Sequence, residues 1–129
     1  YEGLPHPGRE SDSFRKEKKN KDVTQIGGHW FYDARVKAGG QSHEGLMNLL
    51  CDRNSLSVPS PIVAQKDCGP FHPDYAIAWS SDGVENYLMI CYTCWEATLI
   101  GEGRSTLYVI NGIKPWQELL ADFQANRPK

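Results

Sequence analysis

Two cysteines three positions apart, Cys91 and Cys94, are the residues of this chain whose types and spacing first suggest chemistry. A redox-active dithiol usually lies at the N-terminus of a helix, where free backbone amides and the helix dipole lower a thiol pKa. Here β-branched, aromatic and aliphatic residues flank the pair, and no helix pattern follows. The pattern favours a pair held in strands, which can meet only across a local turn or bulge. A redox or metal-binding protein using this pair is kept as an alternative.

Zinc binding is the second chemistry that the cysteines allow. Cys51 and Cys68 would complete a ligand set with the Cys91/Cys94 pair, and His72 is a further candidate. Structural zinc sites usually combine two closely spaced pairs, whereas the second half of this set is scattered along the chain. Structural disulfides are favoured, because an irregular stretch at 53–74 is long for a compact domain and needs a crosslink. The sequence predicts no metal site and no cofactor.

The expected strand neighbours suggest which cysteines pair. Cys68 lies shortly before a predicted strand, and Cys91 lies on the strand expected to pair with it through a hairpin at Asp82-Gly83. A Cys68–Cys91 bond is therefore predicted, with Cys94 as the second choice for Cys68. This bond closes a loop of about two dozen residues and contributes roughly 3 kcal/mol in the chain-entropy model. Cys51 and Cys94 would then form a second bridge.

A thiol, an imidazole and a carboxylate lie close together in sequence at Cys68, His72 and Asp74. A cysteine hydrolase needs these groups to converge in a cleft, usually from separate elements of the fold. Two prolines within the same seven residues instead indicate a rigid turn that enters a strand. The chain also has no phosphate-binding glycine loop and no nucleophile elbow. No catalytic residue is predicted.

The longest apolar run, residues 87–100, must lie at the centre of whatever fold positions these residues. It contains one charged residue, Glu96, and is too long for one flat strand but too short to span a membrane. It is predicted to be a central antiparallel strand, bent or bulged near 91–94. Residues 75–79 and 107–110 are predicted to be its neighbours in a meander.

Two helices complete the predicted domain. Ser42 is a plausible N-cap for a short helix that ends near Asp52, and Pro115 suits the first turn of a C-terminal helix. The second helix carries an apolar stripe at i, i+3, i+4 and i+7, formed by Trp116, Leu119, Leu120 and Phe123. The predicted class is α+β, with a meander of three to five antiparallel strands packed by the C-terminal amphipathic helix and one short helix. A strand over 29–36 precedes them.

Residues 1–27 differ from the remainder in composition. They contain few apolar side chains and a charge run at 15–19, so the sequence predicts a flexible tail or linker followed by a single domain over 28–129. Residues 1–21 hold six basic and four acidic side chains, which leaves eight basic and twelve acidic ones elsewhere. The domain is therefore mildly acidic.

Charge and cysteine usage restrict the partners and the compartment. A net charge of −2 and a pI near 6.1 give no nucleic-acid signal, and no transmembrane segment is expected. The chain starts at Tyr1 without methionine, which either removal of an export signal or a cloning boundary explains. With four cysteines and no Asn-x-Ser/Thr sequon, the expected location is the bacterial periplasm or envelope.

The segment Cys68-Gly-Pro-Phe-His-Pro-Asp-Tyr, followed by Ile90-Cys-Tyr-Thr-Cys-Trp-Glu96, resembles small exported bacterial proteins and lipoproteins of uncharacterised function. The resemblance covers residues 68–96 and implies a compartment, not an activity. In such proteins a histidine after the second cysteine imitates a haem-attachment site, and Trp95 replaces it here.

These observations together predict a non-enzymatic exported binding protein. A possible form is an immunity-type inhibitor that neutralises a toxin or lytic enzyme, because the body is small, crosslinked and mildly acidic. A protein partner is expected to contact Asp74, Glu96 and Glu102. The sequence does not determine an oligomeric state.

Overall fold

The structure, a computed structural model, describes residues 1–60 and 69–127. Within these ranges the elements, in chain order, are α1 (Ser11–Asn20), β1 (Val23–Ile26), β2 (His29–Tyr32), α2 (Gly40–Cys51), β3 (Leu56–Ser57), β4 (Tyr75–Ser81), β5 (Val84–Cys91), β6 (Glu96–Gly101), β7 (Arg104–Ile110) and α3 (Lys114–Ala121). An antiparallel sheet has the order β3-β7-β6-β5-β4, and β1 pairs with β2 in a separate hairpin. The predicted α+β class, with an antiparallel meander and a C-terminal helix, is confirmed.

Two tight hairpins keep the meander in register. Asp82-Gly83 joins β4 to β5 and Glu102-Gly103 joins β6 to β7, and all four residues have positive φ, between 50° and 78°. Two consecutive positive φ values are typical of type I′ turns, whose twist matches that of the flanking strands. Glycine at the second position accepts this conformation without steric cost.

The long apolar run is two strands rather than one bent strand. β5 ends at Cys91, residues 92–95 form a turn, and β6 begins at Glu96, which pairs directly with Cys91. Trp95 has φ of +54°, a conformation that bulky residues rarely adopt, and its carbonyl accepts a hydrogen bond from Ile110 N at 2.8 Å. The turn lacks Gly, Pro, Asn and Asp, so the sequence gives no turn signal there.

Residues 1–27, predicted to be a flexible tail, pack against the domain instead. Glu2 and Gly3 form antiparallel bridges to Tyr75 and Phe31, so the first four residues lie as an extra strand between β4 and β2. Leu4 is fully buried. Gly3 is required here, because a Cβ atom would collide with the Pro73 carbonyl oxygen. The predicted boundary at residue 28 falls inside the β1–β2 hairpin.

The charge run at 15–19 forms part of α1 rather than a solvated tether. Glu17 is buried and accepts a hydrogen bond from the Tyr32 hydroxyl at 3.0 Å. Lys18 Nζ lies 4.0 Å from the centre of the Trp30 ring. These contacts place one face of a polar helix against β2.

Side chains alternate along the strands to make a core on each side of the main sheet. Leu88 and Ile90 point towards α2 and α3 and pack with the fully buried Trp116. Met89, between them, points to the other side and packs with Phe31 of the hairpin. The predicted helix at 42–52 is present as α2. The predicted apolar stripe of the C-terminal helix packs on the same core as α2. Its last member, Phe123, also packs there but lies after the end of α3.

Among the described helices, none combines the length and the apolar character needed to cross a bilayer.

Candidate functional site

A large cavity, called the α2 cavity below, lies between α2, the segment 34–38 and one face of the sheet. Its volume is about 970 Å³. Ile77, Leu88 and Leu99 form its floor, and register places the three side by side on β4, β5 and β6. Leu46 and Leu50 of α2 line its wall. Pockets for small molecules commonly have about 300–1,000 Å³, so this cavity is large enough for a ligand.

The mouth of the α2 cavity exposes large apolar side chains. Val36, Met47 and Trp79 line it and are 47%, 44% and 37% exposed. Three such side chains grouped at one opening form an apolar surface, whereas isolated exposed apolar residues are ordinary. This grouping is a feature expected of a binding surface.

Charged residues border the same cavity. Arg35 pairs with Glu85 at 3.1 Å and lies 5.0 Å from the centre of the Tyr1 ring. Lys37 and Arg53 are exposed and, within residues 1–60 and 69–127, have neither an ion pair nor a side-chain hydrogen bond. Asp52 Oδ1 accepts the backbone N–H of Asn54 at 2.9 Å.

A second polar region, called the terminal cluster, consists of Glu2, His72, Asp74 and Arg127. The Glu2 carboxylate is buried and accepts backbone N–H groups of Ala125, Asn126 and Arg127 at 3.2, 2.7 and 3.1 Å. These three hydrogen bonds hold the C-terminal segment against the N-terminal strand.

Arg127 and Asp74 form the other half of the terminal cluster. The Arg127 guanidinium donates to the carbonyls of Gly3 and Leu4 and to Asp74 Oδ1, the last at 3.1 Å. Asp74 Oδ2 accepts the backbone N–H of Tyr92 at 2.8 Å. Both oxygens of this carboxylate are therefore used inside the protein.

His72 lies 2.8 Å from the Leu4 carbonyl through Nε2, so this nitrogen carries the proton and donates. Burial lowers the pKa of His72, although the hydrogen bond to Leu4 acts in the opposite direction. The His6 ring lies 4.9 Å away, centre to centre. His72 is thus a neutral structural donor rather than a free general base.

The three predicted partner-binding residues do not form one surface. The Asp74 side chain is 16% exposed and engaged by Arg127 and Tyr92. Glu96 begins β6 and Glu102 follows its other end, so about 20 Å of strand separates them. The structure brings none of these carboxylates together.

The bonding of the cysteines differs from the predicted disulfide pairing. Cys91 is a buried free thiol and Cys51 is an exposed free thiol, so neither forms the predicted bridge. Cys94 is the disulfide-bonded member of the 91/94 pair, and Cys68 lies outside the described residues. Cys91 is the last residue of β5, whereas Cys94 lies in the turn at 92–95.

Burial raises the pKa of the Cys91 thiol, and hydrogen bonds from the backbones of His72, Cys94 and Thr93 oppose this effect. A buried thiol with a raised pKa is a poor nucleophile near neutral pH. Within the described part of the chain, no three His, Cys, Asp or Glu side chains are grouped as metal ligands.

Comparisons with protein-family models, with curated proteins and with solved structures find no match to this chain. The site therefore has to be interpreted from its own geometry. The sequence predicts the helix α2 but not the cavity beneath it. The exposed Val36 and Met47 carry no signal in the sequence, because a mouth depends on how α2 and the segment 34–38 sit over the sheet.

Proposed function

We propose that this protein is a non-enzymatic binding protein and that the α2 cavity is its binding site. The observation that carries this proposal is a cavity of about 970 Å³ with an apolar floor and three large exposed apolar residues at its mouth. Burying apolar surface contributes roughly 25 cal/mol per Å², so an occupant that covers these side chains gains affinity from contact alone.

The α2 cavity replaces the acidic residues as the proposed contact surface. Asp74 serves the terminal cluster, and Glu96 and Glu102 lie at opposite ends of β6. An immunity-type role and an exported location remain proposals that this site neither requires nor opposes.

A redox role for Cys91 and Cys94 is less well supported. Cys91 is 1% exposed and burial raises its pKa, whereas redox-active thiols are accessible and have lowered pKa values. The binding proposal, in contrast, relies on Val36, Met47 and Trp79, which are exposed to solvent.

The proposal is tested by titrating the protein with N-phenyl-1-naphthylamine, an uncharged dye that fluoresces in apolar surroundings. The wild type is expected to bind it with a saturable fluorescence increase. Ile77→Trp replaces an aliphatic side chain on the cavity floor with a large indole ring and should abolish the increase. Leu107→Trp is the matched control, because Leu107 is 43% exposed on β7 and does not line the cavity.

Circular dichroism and thermal unfolding of both variants show whether each is folded. Loss of dye binding in a folded Ile77→Trp protein, with binding kept in Leu107→Trp, supports the proposal. Equal binding by both variants, or no binding by the wild type, contradicts it. If Ile77→Trp does not fold, Ala38→Phe, at the wall of the same cavity, takes its place.

A further inference from the structure

We infer that the occupant of the α2 cavity is an amphipathic anion with one long hydrocarbon chain, of the long-chain carboxylate class. This inference rests on the proposed function, because it assigns a ligand class to the same cavity. The chain would lie over the floor at Ile77, Leu88 and Leu99, and the carboxylate would meet the rim at Lys37 and Arg53.

The apolar lining of the α2 cavity has a shape that fits an extended hydrocarbon chain. The floor residues lie in one row across three strands, and Leu46 and Leu50 face them from α2. The row of floor residues and the α2 residues beside it together offer continuous apolar contact to an extended hydrocarbon chain. Each added methylene is expected to tighten binding about two- to fourfold until the chain fills the cavity.

The carboxylates that border the cavity differ from the cations beside them. Each carboxylate has a partner: Glu85 pairs with Arg35, Asp52 accepts the Asn54 N–H, and Glu2 accepts three backbone N–H groups.

Lys37 and Arg53 are different, because neither has an ion-pair partner in the part of the chain that the structure describes. Both side chains have long apolar stems that can lie along an apolar mouth while the charged end stays in water. Cations beside an apolar opening complement an anionic head group joined to a hydrocarbon chain.

The test compares how well three probes of equal chain length displace N-phenyl-1-naphthylamine from the protein. These are sodium myristate, 1-tetradecanol and tetradecyltrimethylammonium. Each probe is used below its critical micelle concentration. Myristate should bind about tenfold more tightly than the alcohol at low salt, and this preference should shrink as salt is added. The cation should bind more weakly than the alcohol.

The matched variants remove the same amount of charge from two places. Lys37→Gln with Arg53→Gln should weaken myristate binding about tenfold and leave alcohol binding unchanged. Lys16→Gln with Lys19→Gln, on the exposed face of α1 and away from the cavity, should change neither. Thermal unfolding of each pair verifies that the protein is folded.

The outcomes separate this inference from the proposed function. If the dye binds in the cavity but myristate and the alcohol bind equally, the anionic ligand class is wrong and the binding function stands. If neither the dye nor any chain binds, both are wrong. Binding to vesicles of phosphatidylglycerol without binding of monomeric myristate would make the occupant a membrane surface and overturn the inference. A dimer that Ile77→Trp converts to a monomer would make the occupant a second copy and overturn it too.

Discussion

The two regions at either end of β4 use their polar and apolar groups in opposite ways. Before the start of the strand, Asp74 and its neighbours in the terminal cluster have their charges paired inside the protein. Near its end, Trp79 and the rest of the mouth expose apolar surface, and two cations of the α2 cavity have no described partner. Buried charges without partners are costly, so the terminal cluster is explained by stability. The α2 cavity gives the folded chain no comparable gain, so an occupant explains it better.

The largest expected effect comes from breaking the terminal cluster at Glu2. Glu2→Gln keeps the shape of the side chain but points an amide N–H₂ at backbone N–H groups that now donate to a carboxylate. The expected loss is about 2–4 kcal/mol in the free energy of unfolding, measured by urea denaturation. Glu10→Gln is the control, because Glu10 accepts one backbone N–H at an exposed site. Its expected loss is below about 1 kcal/mol. Equal losses in the two variants would mean that Glu2 does not secure the C-terminal segment.

Two cysteines that are free thiols in the described part of the chain provide the next comparison. Cys51 borders the α2 cavity and is exposed, whereas Cys91 is 1% exposed beside the terminal cluster. Under native conditions a thiol reagent such as 5,5′-dithiobis(2-nitrobenzoate) should modify Cys51 first. Cys91 should react about 100-fold or more slowly, because the protein must first open locally at a cost of about 3 kcal/mol or more.

Single variants assign the two phases of this reaction. Cys51→Ser should remove the fast phase, and Cys91→Ser should leave it unchanged. A saturating ligand in the α2 cavity should slow the Cys51 reaction only. Comparable rates for both thiols would show that the 92–95 turn opens readily and that Cys91 is available for chemistry.

The sequence predicts the meander well because its signals are local. Asp82-Gly83 and Gly103 specify tight turns, alternation marks β4, and an i, i+3, i+4 stripe marks α3. For a physical reason, the sequence predicts only a bend or bulge near 91–94 and not the complete turn at 92–95. It contains no residue that prefers positive φ, and the hydrogen bond from Ile110 to the Trp95 carbonyl that supports it comes from a distant strand.

The terminal cluster and residues 1–27 could not be predicted for a related reason. Glu2, Glu17 and Arg127 look like surface charges in a linear sequence, and the contacts that fix them are made with partners up to 125 residues away. The composition of a segment gives the number of its charged residues but not whether those residues are paired in the folded protein. The α2 cavity is equally invisible, because it is a gap between elements, and the pattern of each element does not specify how the elements are placed relative to one another.

Smaller effects are expected at the mouth of the cavity than in its wall. Met47→Ala should cost less than about 1 kcal/mol in unfolding free energy, because Met47 is 44% exposed. The neighbouring Leu46 is 7% exposed, and Leu46→Ala should cost about 2–4 kcal/mol. Dye binding should weaken about two- to fivefold in Met47→Ala, since it loses apolar contact. Unchanged dye affinity in this variant would place the binding surface elsewhere.

The smallest effect is a pH dependence of stability in the terminal cluster. Burial, foremost, lowers the pKa of His72 in the folded protein below the value of about 6.5 that it has in the unfolded chain. The groups facing it are His6, Asp74 and Arg127, of which Asp74 alone favours the protonated form. As the pH falls below about 6.5, the unfolded chain takes up a proton that the folded protein resists, so stability decreases. Above that pH the contribution of neutral His72 is fully present.

His72→Gln tests whether His72 causes this loss of stability at lower pH, because an amide can still donate to the Leu4 carbonyl but does not titrate. The free energy of unfolding, measured by urea denaturation at several pH values between about 7 and 5, should fall less steeply in the variant than in the wild type. Burial also lowers the pKa of His29, on the β1–β2 hairpin, so part of the slope should remain in His72→Gln and disappear in a His29→Gln/His72→Gln double variant. Identical slopes in the wild type and His72→Gln would show that His72 binds its proton equally well in both states. His72 would then contribute no pH dependence to the stability of the terminal cluster, and its hydrogen bond to the Leu4 carbonyl would be its whole contribution.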